Sequence, residues 1–365
     1  MTDRASFLAT RRERLAARLS ELGLDAYITF SPANRHYLTG FTGSFGYALI
    51  TRDGAEEFFT DWRYLDQAAA ECPTFKINTL TADKSLWSPL APRLKELGVQ
   101  RLGFEGGIAP ADFAVQAREN VPVEWVSAGR LVEGLRAIKD DFEIDRLRGS
   151  LRIAEEVFDH ILPFIKPGVS ERELAVEMRH QIELRGANNY PNMPIVASGW
   201  RAALPHGRAS DKIVADGEFV LFDFGALLDG YHSDMTRTVV CGRAGERERE
   251  IYDLVRLCHD AGQALMKEGV TGQAVDRAAR QPIIEAGYGD SSHGYSVGHG
   301  LGLEVHEDPF VSEGYTDTLK SGMVITMEPG VYIQGWGGVR IENTVLVTPE
   351  GPDAFNTTTR ELLEV

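Results

Sequence analysis

The segment 219–240, FVLFDFGALLDGYHSDMTRTVV, constrains the fold more than any other stretch of the chain. Two apolar, β-prone runs flank Asp229 and Gly230, a pair that is typical of a hairpin turn. Each run carries an acid, Asp223 in the first and Asp234 in the second. A loop of two or four residues pairs positions whose residue numbers sum to an odd value, as 223 and 234 do. Because side chains alternate along each strand, such a loop puts both carboxylates on one face of the hairpin. If these two carboxylates are buried, they need a cation to neutralise them. The alternative is that both are solvated residues near the turn.

The composition bounds the class of protein. A chain of 365 residues is long enough for two domains, and 43% hydrophobic with 25% charged residues is typical of globular proteins. The net charge of −16 argues against nucleic acid and against anionic membrane surfaces as partners. No apolar run is long enough to span a bilayer, and residues 1–25 lack the apolar core of a secretory signal. Three scattered cysteines, Cys72, Cys241 and Cys258, indicate a reducing cytoplasm rather than a disulfide framework.

Residues 1–130 are predicted to form an α/β domain. Residues 7–22 have the apolar spacing of an amphipathic helix, and helix and strand signals then alternate through residue 128. Residues 31–46 are predicted to be turns that precede a second strand. The domain contains no glycine-rich phosphate-binding motif such as GxGxxG.

Residues 131–365 are predicted to form a second domain. The apolar pattern from 130 to 168 indicates one long helix, and the next helix begins with Ser170 as N-cap and Glu173 three positions later. Residues 188–210 are predicted to be irregular. Each of two helical pairs precedes a pair of strands with embedded acids, which suggests an internal pseudo-repeat without a clear sequence repeat.

The second strand pair carries two further acids, Glu328 in ITMEPG and Glu342 in VRIENT. Their numbers sum to an even value, so a five-residue turn centred on Gly335 sets them opposite each other on one face. Between the two hairpins in sequence lies His299, whose flanking glycines allow close backbone packing. Four carboxylates and an imidazole would suit two divalent cations. The absence of thiolates argues against structural zinc, and the oxygen-rich donor set suits Mn²⁺ first, then Co²⁺, Fe²⁺ or Zn²⁺. Each acid taken alone is equally well explained as a solvated surface group.

These residues lie in motifs that resemble a known family, the pita-bread metallopeptidases of the Xaa-Pro peptidase group. The motifs are NRHYLTGFTGSFGYALIT and FFTDWRYLDQAA in the first domain, and PIVASGWRAALPHG, FDFGALLDGYHSDMTRT, GHGLGLEVHEDP, MEPGVYI and GGVRIEN in the second. The resemblance implies a creatinase-like α/β N-terminal domain and a pita-bread α+β catalytic domain with an antiparallel sheet. It also implies that five residues bind two metal ions, with Asp234 and Glu342 bridging them: Asp223, Asp234, His299, Glu328 and Glu342.

The resemblance further implies roles for residues around the metals. His206 in LPHG and His306 in EVHEDP would hydrogen-bond the substrate and the oxyanion, and Arg340 would aid substrate binding and order the site. Glu328 would take the proton of the attacking water and pass it toward the prolyl nitrogen. Many members carry a histidine four residues before the metal-binding histidine, where this chain has Tyr295. We expect Tyr295 to contact the substrate, as a hydrogen-bond donor that does not titrate near neutrality.

The implied activity is hydrolysis of the Xaa-Pro bond at peptide N-termini, on peptides with proline in the second position. The motifs YLTGFTGS and TDWRY resemble short bacterial Xaa-Pro aminopeptidases, so we expect an aminopeptidase, with Xaa-Pro dipeptidase (prolidase) as the alternative. A homodimer is expected because related enzymes are commonly dimers. Methionine aminopeptidase lacks such an N-terminal domain, creatinase lacks the metal ligands, and a non-catalytic binding protein on this fold would usually have lost them.

Overall fold

The structure, a computed structural model, describes residues 4–80, 85–190, 194–292 and 296–365. The chain divides into two compact units, Met1–Arg136 and Ala137–Val365. The division falls six residues beyond the boundary predicted at 130/131. The intervening helix belongs to the first unit because Arg136 donates a 2.7 Å hydrogen bond to Asn34, whose amide donates to Glu133 at 2.9 Å.

The first unit is a mixed α/β domain. Its described helices are α1 Arg4–Glu21, α2 Pro32–Thr39, α3 Leu65–Glu71, α4 Trp87–Glu96, α5 Ala111–Asn120 and α6 Leu131–Arg136, and its strands are β1 Ala26–Thr29, β2 Tyr47–Thr51, β3 Glu56–Thr60, β4 Lys76–Thr79, β5 Arg101–Phe104 and β6 Glu124–Ser127. The strands form one sheet in the order β4-β3-β2-β1-β5-β6. The β1–β2 and β2–β3 pairs are antiparallel and the others parallel. The buried core on this sheet includes Ile28, Phe59 and Leu102.

Helix α2 replaces part of the turn region that was predicted over residues 31–46. Its signals are local: Ser31 caps the helix by accepting from the Asn34 amide, Pro32 occupies the first turn, and Gly40 ends it at φ 77°. Proline is compatible with the first helical turn, and glycine adopts the left-handed conformation that commonly ends a helix. The prediction was wrong because the turn-forming residues in this stretch are the boundaries of a short helix.

The second unit contains four further α-helices and twelve strands among its described residues. The helices are α7 Asp141–Ile161, α8 Glu171–Leu184, α9 Glu246–Gln263 and α10 Gly272–Glu285, and the strands are β7 Ile195–Ser198, β8 Phe219–Phe224, β9 Leu227–Leu228, β10 Tyr231–His232, β11 Met235–Val240, β12 Gly298–Gly300, β13 Glu307–Val311, β14 Val324–Met327, β15 Gly330–Ile333, β16 Gly337–Arg340, β17 Asn343–Val347 and β18 Pro352–Ala354. The helical pair α7 and α8 precedes the first acid-bearing hairpin, and α9 and α10 precede the second.

The strands of the second unit form antiparallel sheets. One has the order β11-β8-β7, another has the order β13-β12-β14-β17-β18, and β9–β10 and β15–β16 are two-stranded ribbons. Helix α10 packs on the five-stranded sheet through a core that includes Val275, Ala279, Ile325 and Val345. The acid-bearing strands are therefore backed by packed apolar residues, which hold their backbones in place.

Two predictions for the second unit need correction. The single long helix predicted over 130–168 is interrupted, because Asp140 and Glu143 form a capping box that starts α7. The irregular stretch predicted over 188–210 contains β7, which pairs with β8. By contrast, the predicted capping box of Ser170 and Glu173 is present at the start of α8. None of the described helices combines the length and the apolar character needed to cross a lipid bilayer.

Candidate metal centre and substrate cleft

The first hairpin brings Asp223 and Asp234 to one face. Strands β8 and β11 pair with Asp223 opposite Thr236, and the same register places Asp234 opposite Gly225, two residues from Asp223. The ribbon reverses at Asp229 and Gly230, whose φ angles of 51° and 89° are both positive. Such a turn fits the right-handed twist of two paired strands, which explains the choice of Asp-Gly. Residues two apart share a face, so the two carboxylates point the same way.

Gly225 lets the two sides of this hairpin approach each other beside the acids. A Cβ added to Gly225 would lie 1.7 Å from the Ser233 carbonyl oxygen and 2.3 Å from the Tyr190 hydroxyl. In addition, the Ser233 amide donates to the Ala226 carbonyl at 2.9 Å, and the Ala226 amide donates to the Ser233 hydroxyl at 2.9 Å. These bonds fix the backbone immediately before Asp234, and only glycine fits at position 225.

The second pair of strands sets Glu328 opposite Glu342. The ladder of β14 and β17 pairs Met327 with Asn343, and the ribbon of β15 and β16 pairs Gly330 with Arg340. Both pairings have the same register, and in that register the two glutamates between them lie opposite each other. The turn is shorter than predicted: Ile333 pairs with Gly337, which leaves three residues centred on Gly335 (φ 77°) rather than five. The register is unchanged, because both turns have the same centre.

His299 completes the cluster from β12. Its Nδ1 atom lies 3.1 Å from the Gly300 carbonyl oxygen, a contact in which Nδ1 donates, and its Nε2 atom lies 3.3 Å from Glu328 Oε1 and 3.7 Å from Asp234 Oδ2. The bond to Gly300 thus leaves Nε2 as the lone-pair nitrogen facing the carboxylates. The glycine on each side has no room for a side chain, since a Cβ would meet a carbonyl oxygen at 2.0 Å or 2.2 Å.

The burial and charge of this cluster fit divalent cations. One potential ligand atom from each of Asp234, His299 and Glu342 lies within 4.8 Å of the others, and the three residues are 7%, 5% and 1% exposed. Burial, with repulsion from Asp223 and Glu328, raises the pKa of the Asp234 carboxyl well above its usual range. Burial and repulsion from Asp234 raise the pKa of the Glu342 carboxyl in the same way. Crowded buried carboxylates are destabilising unless cations or protons neutralise them.

The hydrogen bonds of Glu342 point to the same conclusion. Its Oε2 accepts a 2.7 Å hydrogen bond from the Thr236 hydroxyl, while its buried Oε1 has no hydrogen-bond partner among the described residues. Buried polar atoms are rarely left without a partner, so an oxygen in this position is suited to a metal ion. The donors are oxygens and one imidazole, a set that fits Mn²⁺, Fe²⁺, Co²⁺ or Zn²⁺.

Three of the four acids, Asp223, Asp234 and Glu328, line a cleft of about 760 Å³. Its walls also contain three of the other predicted site residues, His206, His306 and Arg340. The His306 ring lies 4.4 Å from the His299 ring at an interplanar angle of 65°. Both His206 and His306 are exposed, as a substrate-contacting residue requires. Tyr295, also predicted to bind substrate, lies outside the described residues.

Arg340 is buried within the cleft wall and orders its neighbours. Its guanidinium donates to Asp223, to the Tyr332 hydroxyl at 2.7 Å, to the Thr236 hydroxyl at 3.1 Å and to the Pro205 carbonyl at 3.2 Å. Because its donors are already in use, this contact set favours the ordering role over direct contact with substrate.

Two tyrosines in the cleft were missed by the sequence analysis. Tyr332 lies four residues after Glu328 in MEPGVYI, and the period-two alternation of a strand was a usable signal for it. Tyr190 lies in the stretch that was predicted to be irregular, and its hydroxyl donates to the Ser233 carbonyl. No local pattern marked Tyr190, since its partner is 43 residues away in the chain.

Comparison with known proteins identifies the family. The profile of metallopeptidase family M24 matches residues 145–349, and that of the Creatinase/Prolidase N-terminal domain matches residues 11–138. The chain belongs to metallopeptidase family M24. Both units of this M24 chain therefore match the architecture that the motifs predicted, a creatinase-like α/β domain followed by a pita-bread catalytic domain with antiparallel sheets.

Individual relatives of the M24 chain are similar over nearly their whole length. The Xaa-Pro dipeptidase of Pyrococcus horikoshii is 35% identical over 342 residues, which cover 93% of this chain and 95% of the relative. The solved structure of Xaa-Pro dipeptidase from Bacillus anthracis matches with a TM-score of 0.93 at 39% identity, covering 98% of this chain and 100% of that one. The X-Pro aminopeptidase structure from Thermotoga maritima matches with a TM-score of 0.90 at 33% identity, covering 97% and 99%.

Proposed function

We propose that this M24 metallopeptidase hydrolyses the Xaa-Pro bond and acts as a Xaa-Pro dipeptidase. The observation that carries the proposal is the buried group of Asp234, His299 and Glu342, whose potential ligand atoms lie within 4.8 Å of one another. Asp234 and His299 also line the cleft. We propose that Asp223 and Glu328 complete the ligand set and that two divalent cations, Mn²⁺ first, occupy it. Bound cations supply an acidified water as nucleophile and polarise the scissile carbonyl.

The residues of the chain would perform three tasks around the metals. Glu328, whose Oε1 atom accepts from the Thr326 hydroxyl at 3.2 Å, would receive the proton of the water and return it to the prolyl nitrogen. His306 would donate a hydrogen bond to the developing oxyanion, and His206 would hold the substrate. Arg340 would keep Asp223 in position through their hydrogen bond. Because a prolyl nitrogen has no N–H, the cleft needs no acceptor for one.

The choice between two exopeptidase activities rests on the relatives. Motifs in the first domain favoured Xaa-Pro aminopeptidase, but the dipeptidase names of the Pyrococcus and Bacillus relatives support the alternative better. The Thermotoga structure keeps the aminopeptidase as the second candidate. The homodimer and the cytoplasmic location are predictions of the same kind, the second supported by three buried cysteines that form no disulfide.

A metal-reconstitution assay tests the proposal. The protein is stripped with a chelator, reloaded separately with Mn²⁺, Co²⁺ and Zn²⁺, and assayed on a Xaa-Pro dipeptide and on a Xaa-Pro-Xaa tripeptide. We expect higher kcat/KM on the dipeptide, and a tripeptide preference would make the enzyme an aminopeptidase. Absence of cleavage of both peptides with every metal would refute the peptidase assignment, as would an Asp223→Ala variant as active as the wild type.

A further inference from the structure

We infer that Arg208 binds the C-terminal carboxylate of the substrate and thereby makes the cleft prefer dipeptides over longer peptides. This inference rests on the proposed function and adds a specificity-determining residue to it. Arg208 is not among the site residues predicted from the sequence and lies two residues after His206 in the segment LPHGRAS.

The strand pairing places Arg208 on the same face as the metal-binding acids. In the β7–β8 ladder Ile195 is the cross-strand partner of Asp223, and on its other side Ile195 forms an isolated antiparallel bridge with Arg208. Cross-strand partners project to the same face of a sheet, and all three residues line the cleft. Two strand spacings of about 4.8 Å place the Cα of Arg208 about 10 Å from that of Asp223.

That separation suits a substrate with one residue beyond the scissile bond. In a Xaa-Pro dipeptide the C-terminal carboxylate follows the scissile bond by a single residue, about 3.8 Å of chain. When the scissile carbonyl of a dipeptide lies at the metals beside Asp223, its carboxylate lies about 3.8 Å further along the chain. The long Arg208 side chain can span the rest of the separation of about 10 Å between the two Cα atoms. A longer peptide has an uncharged amide at the same place.

The other cations of the cleft already have partners. Arg340 donates to Asp223 and Tyr332, and Arg280 donates to both carboxylate oxygens of Asp276, at 2.9 Å and 3.0 Å, and to the Ser292 carbonyl. In the part of the chain that the structure describes, the exposed Arg208 guanidinium has neither an ion pair nor a hydrogen-bond acceptor. Binding of a carboxylate there breaks no internal interaction, and the planar guanidinium matches a carboxylate with two parallel hydrogen bonds.

The test compares alanyl-proline with alanyl-prolinamide, which differ only in the terminal charge. We expect wild type to prefer the acid and Arg208→Ala to lose that preference, with kcat/KM for the acid about tenfold lower through KM and the amide changed by less than about twofold. Arg208→Lys retains part of the preference because the charge stays while the two-pronged geometry is lost. Arg243→Ala, which removes an exposed arginine outside the cleft, serves as the matched control and leaves both substrates unchanged.

Two results would overturn the inference while leaving the peptidase assignment intact: an unchanged preference in Arg208→Ala, or an equal loss on both substrates. If wild type cleaves neither substrate, the proposed function fails, and binding then decides the role of Arg208. Calorimetry with a reduced analogue, in which a methylene replaces the scissile carbonyl, measures the affinities of the acid and amide forms. Arg208 is confirmed as the carboxylate site if only the acid form binds more weakly to Arg208→Ala, and rejected otherwise.

Discussion

Replacing Glu342 by glutamine should have opposite effects on the metal-free and the metal-bound protein. The potential ligand atoms of Asp234 and Glu342, one carboxylate oxygen of each, lie within 4.8 Å of each other. At an effective dielectric constant of about 20, two carboxylates at that distance repel by about 3 kcal/mol when both are ionised. This is an upper limit for the metal-free protein, because the raised pKa values of Asp234 and Glu342 favour protonation of the pair. Glutamine keeps the size of the side chain and the acceptor for the Thr236 hydroxyl but removes the charge. The metal-free variant should therefore be more stable than metal-free wild type.

The magnitude follows from the size of the second unit, residues 137–365. Relief of about 3 kcal/mol raises the midpoint of its thermal transition by up to about 6–12 °C. With Mn²⁺ present the effect should reverse, because the variant lacks one of the proposed anionic ligands. A 100-fold loss of affinity reduces the stabilisation by bound metal by about 2.7 kcal/mol. Differential scanning calorimetry with chelator and with Mn²⁺ measures both effects.

Glu171→Gln is the matched control. Glu171 is fully buried, but its two oxygens accept hydrogen bonds from the amides and hydroxyls of Ser198 and Ser210, and it does not line the cleft. This variant should be destabilised by the same amount with and without metal. The electrostatic reasoning is refuted if Glu342→Gln also lowers the midpoint of the metal-free protein, or if it leaves the metal-induced increase unchanged.

Three further predictions concern stability. Gly225→Ala should lower the free energy of unfolding, measured with guanidinium, by about 3 kcal/mol or more, because the added Cβ would lie 1.7 Å from a carbonyl oxygen. Gly134→Ala, whose Cβ would have open space around it, should leave the free energy of unfolding unchanged or raise it. Burial lowers the pKa of His259 to about 4 in the folded chain, whereas the same imidazole titrates near pH 6.5 in the unfolded chain. The unfolded chain therefore binds this proton first as the pH falls, and the free energy of unfolding of wild type should decrease by about 2 kcal/mol between pH 7 and pH 5 through this residue. The free energy of unfolding of His259→Gln should decrease by that much less over the same range. Ser170→Ala removes a capping box and should lower the unfolding free energy by about 1 kcal/mol at pH 7, and an unchanged midpoint would contradict the capping role.

The hairpins were predictable because their information is local. A turn of two positive-φ residues and the parity of two residue numbers are enough to decide which side chains share a face, and the register of β8 and β11 agrees with that reasoning. The α8 capping box was equally predictable from Ser170 and Glu173. The same local information was present for α2 in Ser31, Pro32 and Gly40, but it was interpreted as turns.

The sequence by itself therefore determined which acids face the same way within each hairpin, and its motifs determined the family. Only the tertiary structure decided how residues that are far apart in the chain meet. Asp223 and Arg340 are 117 residues apart, and Glu342 faces Thr236 across 106 residues. Spacing carries no information about such contacts, because they depend on how separate sheets pack. The position of Arg208 was decided in the same way, by the bridge to Ile195 that carries it to the face occupied by Asp223.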